Sequence, residues 1–484
     1  MKVLLVKPPY KVAYFYGLGR HFVPPPLAEA CLAAWLKKEG IEVEVLDCQR
    51  KDIGWEKLPA ILKEKQPEIV GVSASMATFH NDYIRFIKIA KQTNPRVITV
   101  AGGGHFGLIP NEIFESCKEL DFLVIGEGEV TLTELIREIE KDKLCFKKIK
   151  GLAYMENGKV VITPSRPLIQ DLDVLPYPDF DLLDMENNHF SALPSSWGKW
   201  TILVTARGCI GRCNFCTARL SQPGYRVMSS KRAFELLQAA CKRGIRTIWM
   251  DDLTFNINKK RTEEIFDRII ESGIELNLIL LGRTDFICRD RDILHKYRKA
   301  GVQAILLGGE SPIQEDLDCY HKGTISHTIE DAIKFLREHD IASWVFFMIG
   351  EWHHDKKAIM EILNYADRVD PDVAVFSIVT PLPGTEYFKE MKEKGAIEIF
   401  DYTYYDMTYA VMHTKYLSIE EIQSVQAGAP IIFYQNSERM ERKVNSKNEF
   451  TRNWYERIKA YAGGVHIHGI NEGAPSMGRI VETT

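Results

Sequence analysis

Three cysteines within eight residues carry the chemistry of this sequence. They stand in Arg207-Gly208-Cys209-Ile210-Gly211-Arg212-Cys213-Asn214-Phe215-Cys216, a C-x3-C-x2-C spacing, while the other seven of the ten cysteines are scattered singly. Thiolates this close in a short loop suit ligation rather than cross-linking. Structural zinc asks for four closed ligands, commonly two pairs, and no second pair lies nearby. A cubane held by three thiolates keeps one iron open, whereas electron-transfer clusters normally use four cysteines. The spacing therefore predicts a [4Fe–4S] cluster on Cys209, Cys213 and Cys216 with one iron free to bind a reactant.

A reactive loop needs rigid strands behind it. From residue 201 onward, apolar runs near 202–205, 247–250, 276–281, 304–307, 344–348 and 373–378 alternate with helical patterns such as 231–243 and 329–337. Six βα units predict a partial (β/α)6 barrel of the TIM type, with reactive groups at the carboxyl ends of its strands. The cysteine loop follows the first strand. After the others come Trp249-Met250-Asp251-Asp252, Leu281-Gly282-Arg283-Thr284, Gly308-Gly309-Glu310-Ser311, Phe347-Met348-Ile349-Gly350-Glu351 and Pro381-Leu382-Pro383-Gly384-Thr385.

The first 145 residues show a separate alternation. Strands are expected near 2–6, 43–46, 69–73, 97–101 and 122–125, with helices between them such as 27–38. The pattern predicts an α/β, doubly wound parallel sheet of flavodoxin or Rossmann type, which receives ligands at its strand ends. Residues 146–198 are punctuated by proline and read as a linker, with a small hairpin at Asn157-Gly158. Residues 199–395 form the barrel. Residues 396–484 read as a mostly helical extension that caps the barrel and shapes the substrate pocket, with Tyr402, Tyr404, Tyr405 and Tyr409 either packing or lining a cavity.

Composition narrows the function classes. At 484 residues the chain exceeds one hydrophobic core, and a net charge of −4 offers nothing to nucleic acid. No apolar run approaches a bilayer span, and the opening run is too short for a signal-peptide core, so a cytoplasmic setting with reduced thiols is expected.

Taken in order, these strand-end motifs resemble those of the radical S-adenosylmethionine superfamily, over residues 200–390. The resemblance implies that the open iron chelates S-adenosylmethionine, whose reductive cleavage yields a 5′-deoxyadenosyl radical. It also implies an external one-electron donor of flavodoxin or ferredoxin type and a small-molecule substrate, hydrophobic in the widest reading. By resemblance, Asp251 and Asp252 approach the methionine amino group, Gly309 and Glu310 belong to a ribose-binding turn, and Phe215 adjoins the cofactor. Arg283 is placed to meet a carboxylate, with a surface ion pair as the alternative. An Asp pair can equally be a helix cap, and Gly-Gly a simple turn. The family's Pro-Gly-Glu stretch after Gly350 is replaced by Trp352-His353-His354, expected as surface histidines.

The aspartate-rich turn and the P-L-P-G-T run are similar to those of the cobalamin-binding branch. Its sheet motifs recur as Ser73 and Ser75 after the third strand, Gly102-Gly103-Gly104 after the fourth and Gly126-Glu127-Gly128-Glu129 after the fifth. These imply cobalamin, with small residues where its nucleotide tail threads past. The D-x-H-x-x-G signature is missing, since no histidine follows the first strand before His21, so cobalt is expected to lack a histidine lower ligand. The same loss suits a vestigial sheet whose glycines only turn. His80 and His105 are possible cobalt neighbours, with solvent-facing loop positions as the plainer reading. The leading expectation is methyl transfer from S-adenosylmethionine through cobalamin to an unactivated carbon. The alternatives are cyclisation or lipid modification by the same radical, as in the anaerobic cyclase of chlorophyll precursors, and a non-catalytic corrinoid or electron carrier.

Overall fold

The computed structural model describes residues 1–10, 24–141, 144–183 and 193–462. Residues 11–23 of the loop after the first strand, His21 among them, and the Gly-rich tail with His466 and His468 lie outside the described residues.

Short β-branched runs flanked by amphipathic helices build the first sheet. Its strands are β1 (Lys2–Lys7), β2 (Glu42–Asp47), β3 (Ile69–Ser73), β4 (Ile98–Gly102), β5 (Phe122–Val124), β6 (Leu152–Glu156) and β7 (Lys159–Ile162). Their order is β2-β1-β3-β4-β5-β6-β7, with the first five parallel. Both faces are buried, one around Val70, Phe86 and Phe114 and the other around Val3, Leu36 and Leu135, as a parallel sheet covered by helices requires. The last two strands are the hairpin at Asn157-Gly158, where φ of 52° and 79° fits a type I′ turn. They add to the sheet antiparallel, so the sheet extends to Ile162, past the boundary at 145 read from the sequence. No residue of β7 is buried, so its short Val160-Val161-Ile162 run does not show from sequence that the hairpin joins the sheet.

The second sheet holds β8 (Lys199–Leu203). Next comes a short ribbon, β9 (Ala206–Arg207) paired antiparallel with β10 (Arg226–Val227). Then follow β11 (Ile245–Met250), β12 (Asn277–Arg283), β13 (Val302–Glu310), β14 (Ala342–Ile349) and β15 (Val373–Ile378). Six strands pair in the order β15-β14-β13-β12-β11-β8, all parallel, giving an open half-barrel. Alternation sorts the side chains: Ile248, Leu280, Leu307 and Phe347 face the outer helices, while Trp200, Trp249, Ile279, Leu306 and Trp344 fill the inner face.

The carboxyl-terminal residues divide between two jobs. Phe450 and Trp454, on the helix Glu449–Ala462, pack against Trp344 with ring centroids 5.6 and 5.3 Å away. The Asn448 amide donates to the carbonyls of Gln303 and Asp340, at the starts of β13 and β14, at 3.0 and 2.7 Å. This end therefore plugs the amino-terminal side of the barrel, opposite the mouth it was expected to cap. Residues around 400–407 instead strap the two sheets together. Thr78 Oγ1 and Asn81 Nδ2 donate to the Thr403 carbonyl and Asp401 Oδ1 at 3.0 and 2.9 Å, and the Ile378 amide donates to the Met407 carbonyl at 2.7 Å. Tyr405 is buried and donates to the Ile399 carbonyl, so it packs rather than lining a cavity.

Candidate active site

The cluster loop leaves β8 through a pinned turn. Asp252 accepts from the amides of Thr205 and Ala206 at 2.5 and 2.8 Å and from Thr205 Oγ1 at 2.6 Å. Buried Arg261 donates to Thr205 Oγ1 and to the Met228 carbonyl, each at 2.8 Å. Gly208 follows with φ of 82°, and a Cβ there would overlap the Gly224 carbonyl, so only glycine closes the base of this loop. Asp252 is fully buried with both oxygens engaged. It positions the turn, and the expectation that it meets the methionine amino group gives way.

The three thiols converge at the barrel mouth, each partly exposed. A Cβ on Gly211 would lie 3.4 Å from Cys209 Sγ and 3.8 Å from Cys213 Sγ. Burial pushes the Cys213 and Cys216 thiols up, against the opposing pull of Lys322 on the first and of the Ala218 amide on the second. Tetrahedral zinc, with Zn–S near 2.3 Å, would bring sulfurs to about 3.8 Å from one another. Among the described residues the three sulfurs form no group lying wholly within 4.8 Å. The three sulfurs are therefore not drawn together as tightly as a closed zinc site would hold them.

Alternate inward positions carry polar groups to the mouth. Asp251, beyond Trp249, is exposed to the concave mouth yet surrounded by protein, so its carboxyl is pushed up to about 7, first by desolvation and then by Asp252. Arg283 ends β12 beside the loop, 3.6 Å from the Cβ position of Gly211, and forms a two-pronged pair with Asp285 at 3.0 and 3.1 Å. The ion-pair reading of Arg283 is therefore the one seen here, although the pair is largely buried at the mouth instead of lying on the surface. Glu310 sits at a bulge with φ of 60° and pairs with buried Lys322 at 2.6 Å. A strained non-glycine backbone of this kind gathers at functional sites. Gly309 lacks a Cβ because one would meet Val345 at 2.7 Å, a packing reason. Phe215 stacks edge-on against Tyr320 at 5.3 Å and forms an apolar wall beside the loop.

Sequence reasoning missed Lys322, Arg261 and Arg226, whose partners are far away in the chain. It also mistook the histidines after β14. His354 is fully buried, and its Nε2 lies 3.0 Å from Asp316 Oδ2, while His353 Nε2 lies 2.8 Å from Asp316 Oδ1. These three could enclose a metal by distance alone. However, His354 Nδ1 accepts from the Glu351 amide at 3.3 Å. That leaves the proton on Nε2, where a metal would have to bind. The trio is a hydrogen-bonded brace.

At the first sheet, Ser73 is half-buried and Ser75 exposed, and neither hydroxyl has a partner among the described residues. Gly126, with φ of 86°, has open space at its Cβ position. These free donors and this opening suit the polar tail of a corrinoid. Most of the other expected residues are used by the protein. Gly103 gives way to the Ala74 backbone and Gly104 to Ser221, while Gly102 meets only ordinary contacts from Val124. Glu127 is taken by Arg207 and Arg226, both at 2.7 Å. His80 and His105 are buried against each other, with Nδ1 and Nε2 3.0 Å apart, neither of them facing solvent.

The family description "B12 binding domain" matches residues 17–136, and "Radical SAM superfamily" matches residues 203–366. An uncharacterized methyltransferase of Pyrococcus horikoshii is 30% identical over 97% of this chain and 99% of its own length. The anaerobic magnesium-protoporphyrin IX monomethyl ester cyclase of Cereibacter sphaeroides is also 30% identical, over 82% of this chain and 65% of its own. Among solved structures, the radical S-adenosylmethionine methyltransferase TsrM from Kitasatospora setae aligns with a TM-score of 0.72, at 19% identity, over 96% of this chain and 99% of that one. The cobalamin-dependent enzyme OxsB aligns at 0.73 and 17% identity, over 95% of this chain and 75% of that one.

Proposed function

The chain belongs to the radical S-adenosylmethionine enzymes that carry a cobalamin-binding domain, and from that premise we propose that it methylates an unactivated carbon of a small, largely apolar molecule. When bound, the cluster supplies the electron that splits one S-adenosylmethionine into methionine and a 5′-deoxyadenosyl radical, and cobalamin carries the methyl group released by a second, which departs as S-adenosylhomocysteine. Cys209, Cys213 and Cys216 hold the cluster. Asp251 accepts a hydrogen bond from the ligand's amino group, and Arg283 faces its carboxylate. Ser73 and Ser75 hydrogen-bond the corrinoid tail.

The observation that carries this reading is the junction of the two sites. The glycine turn after β4 abuts Ser221, in the helix that follows the cluster loop, so the ligand-binding edge of the sheet opens onto the barrel mouth. Leu281, Phe346 and Val375 line the inner face while still partly open, which supports an apolar substrate. Ile210, an exposed apolar residue of the cluster loop, supports docking of a small flavodoxin- or ferredoxin-type donor there. Free thiols suit a reducing cytoplasm, and among the described residues no helix is long and apolar enough to cross a membrane.

The similarity to the ring-forming cyclase favours a second reading, cyclisation by the same radical. Anaerobic, reconstituted enzyme should be reduced with S-adenosylmethionine labelled in its methyl group and with candidate substrates. Labelled product together with S-adenosylhomocysteine and 5′-deoxyadenosine is the expected outcome. Unlabelled product with 5′-deoxyadenosine would establish the second reading instead.

A further inference from the structure

The base of the cluster loop is gripped by the first sheet. Arg207 and Arg226 are register partners in the β9–β10 ribbon, from which the loop carrying all three cysteines emerges. Both reach the same carboxylate: Glu127 Oε1 accepts from Arg207 and Arg226 at 2.7 Å each, and Glu127 Oε2 accepts from the Ile169 amide at 2.7 Å. Glu129 pairs with Arg207 at 2.5 Å, and Arg226 also donates to the Ile169 carbonyl at 2.6 Å. Glu127, Glu129 and Arg226 are largely buried. Burial opposes ionisation of Glu127, but hydrogen bonds from Arg207, Ile169 and Arg226 outweigh it and hold its carboxyl below the usual range.

We propose that the Arg207–Glu127–Arg226 grip, with Glu129, is a positioning latch that sets the separation between the corrinoid and the cluster. Three features support this. The grip joins the sheet's last parallel strand turn to the residue two places before Cys209. Its groups are shielded from water, where charge-assisted pairs resist sliding and removal of one partner is strongly felt. The loop base is also stiff, because Gly208 and Gly224 cross in direct contact, so a displacement of Arg207 passes to the cysteines instead of being absorbed. This inference rests on the proposed use of both cofactors.

The test uses holoenzyme loaded with cluster and cob(II)alamin. It compares Glu129→Gln and Glu127→Asp with Glu134→Gln, which breaks the Arg166 pair between sheet and linker away from the loop. The first readout is the magnetic coupling between reduced cluster and cob(II)alamin by electron paramagnetic resonance, which needs no substrate. The second is 5′-deoxyadenosine formed per S-adenosylhomocysteine. The latch predicts an altered coupling in both grip variants at unchanged iron and cobalamin content. It also predicts a rise of up to about a hundredfold in that ratio, the scale on which a misplacement of about 1 Å acts. Glu134→Gln should match the parent in both. If Glu129→Gln fails to fold, Glu127→Asp, which keeps the charge, decides. Unchanged coupling in the grip variants overturns the latch, as does a parent that loads the cluster but no cobalamin. Altered coupling with an unlabelled product would keep the latch and remove the methyl-transfer reading.

Discussion

Replacing Asp252 by Asn separates the residue that builds the site from its neighbour that serves it. The carboxylate accepts three hydrogen bonds from Thr205 and Ala206, and buried Arg261 lowers the penalty of its burial. Asn retains one acceptor oxygen. Its NH2 faces a hydroxyl that already receives a hydrogen bond from Arg261. Loss of a charged hydrogen bond costs about 1.5–3 kcal/mol, and about that much is expected, concentrated at the turn that starts the cluster loop. Reconstituted Asp252→Asn should therefore lose most of its iron while cobalamin binding, measured in the same sample, persists. Asp251→Asn should keep its iron and lose one charge-assisted contact, weakening S-adenosylmethionine by about ten- to a hundredfold. The pH dependence sharpens the contrast. Because the Asp251 carboxyl is pushed up to about 7, it is neutral below that value and accepts poorly from the ligand's amino group. Affinity should rise as pH rises through about 7 and level off above it, and Asp251→Asn should flatten the profile. Full iron content and unchanged stability in Asp252→Asn, with iron lost from Asp251→Asn, would refute the assignment.

Gly208→Ala should abolish cluster assembly, because its Cβ meets a backbone carbonyl that cannot move aside; iron content after reconstitution checks it, and Gly244→Ala, with open space at its Cβ position, serves as the strained control. Phe450→Ala removes a fully buried ring from the barrel floor and should cost about 3–5 kcal/mol in urea unfolding, while S-adenosylmethionine affinity at the opposite end stays within twofold. Burial holds His80 at about 4 and His105 at about 3, both below the ordinary histidine value. Between the unfolded value near 6.5 and about 4, the unfolded chain binds protons that the folded pair refuses. Stability should therefore fall with falling pH in that window by about 1.4 kcal/mol per unit for each histidine. His105→Phe should lessen the slope measured by thermal unfolding.

The gathering of the three cysteines in one loop was legible because a C-x3-C-x2-C spacing is too short to send its thiols far apart. Strands were legible where they are buried on both sides: β3 reads as an apolar run and is one, whereas β7, with no buried residue, was legible as half of a hairpin but not as part of the sheet. The partners of the site were less legible. Glu127 at a strand end can hold a cofactor or an arginine with equal chemistry, and Asp251 and Asp252 are chemically alike in the sequence. Alternation along the chain past β11 sends one into the mouth and the other into the wall.

By itself the sequence determined which groups can react: three thiolates, a set of acids and bases at strand ends, and glycines where backbone must pass close. Those are local properties, set by residue type and by spacings of a few residues. Only the tertiary structure decided which of these groups remain free. Arg207 and Arg226 reach Glu127 across 80 and 99 residues of chain, and Lys322 comes to Glu310 and the cysteine loop from another turn. Such pairings depend on how two sheets dock. Most buried charges take the polar partners the fold supplies, and Asp251, with no counter-charge among the described residues, is left at the mouth.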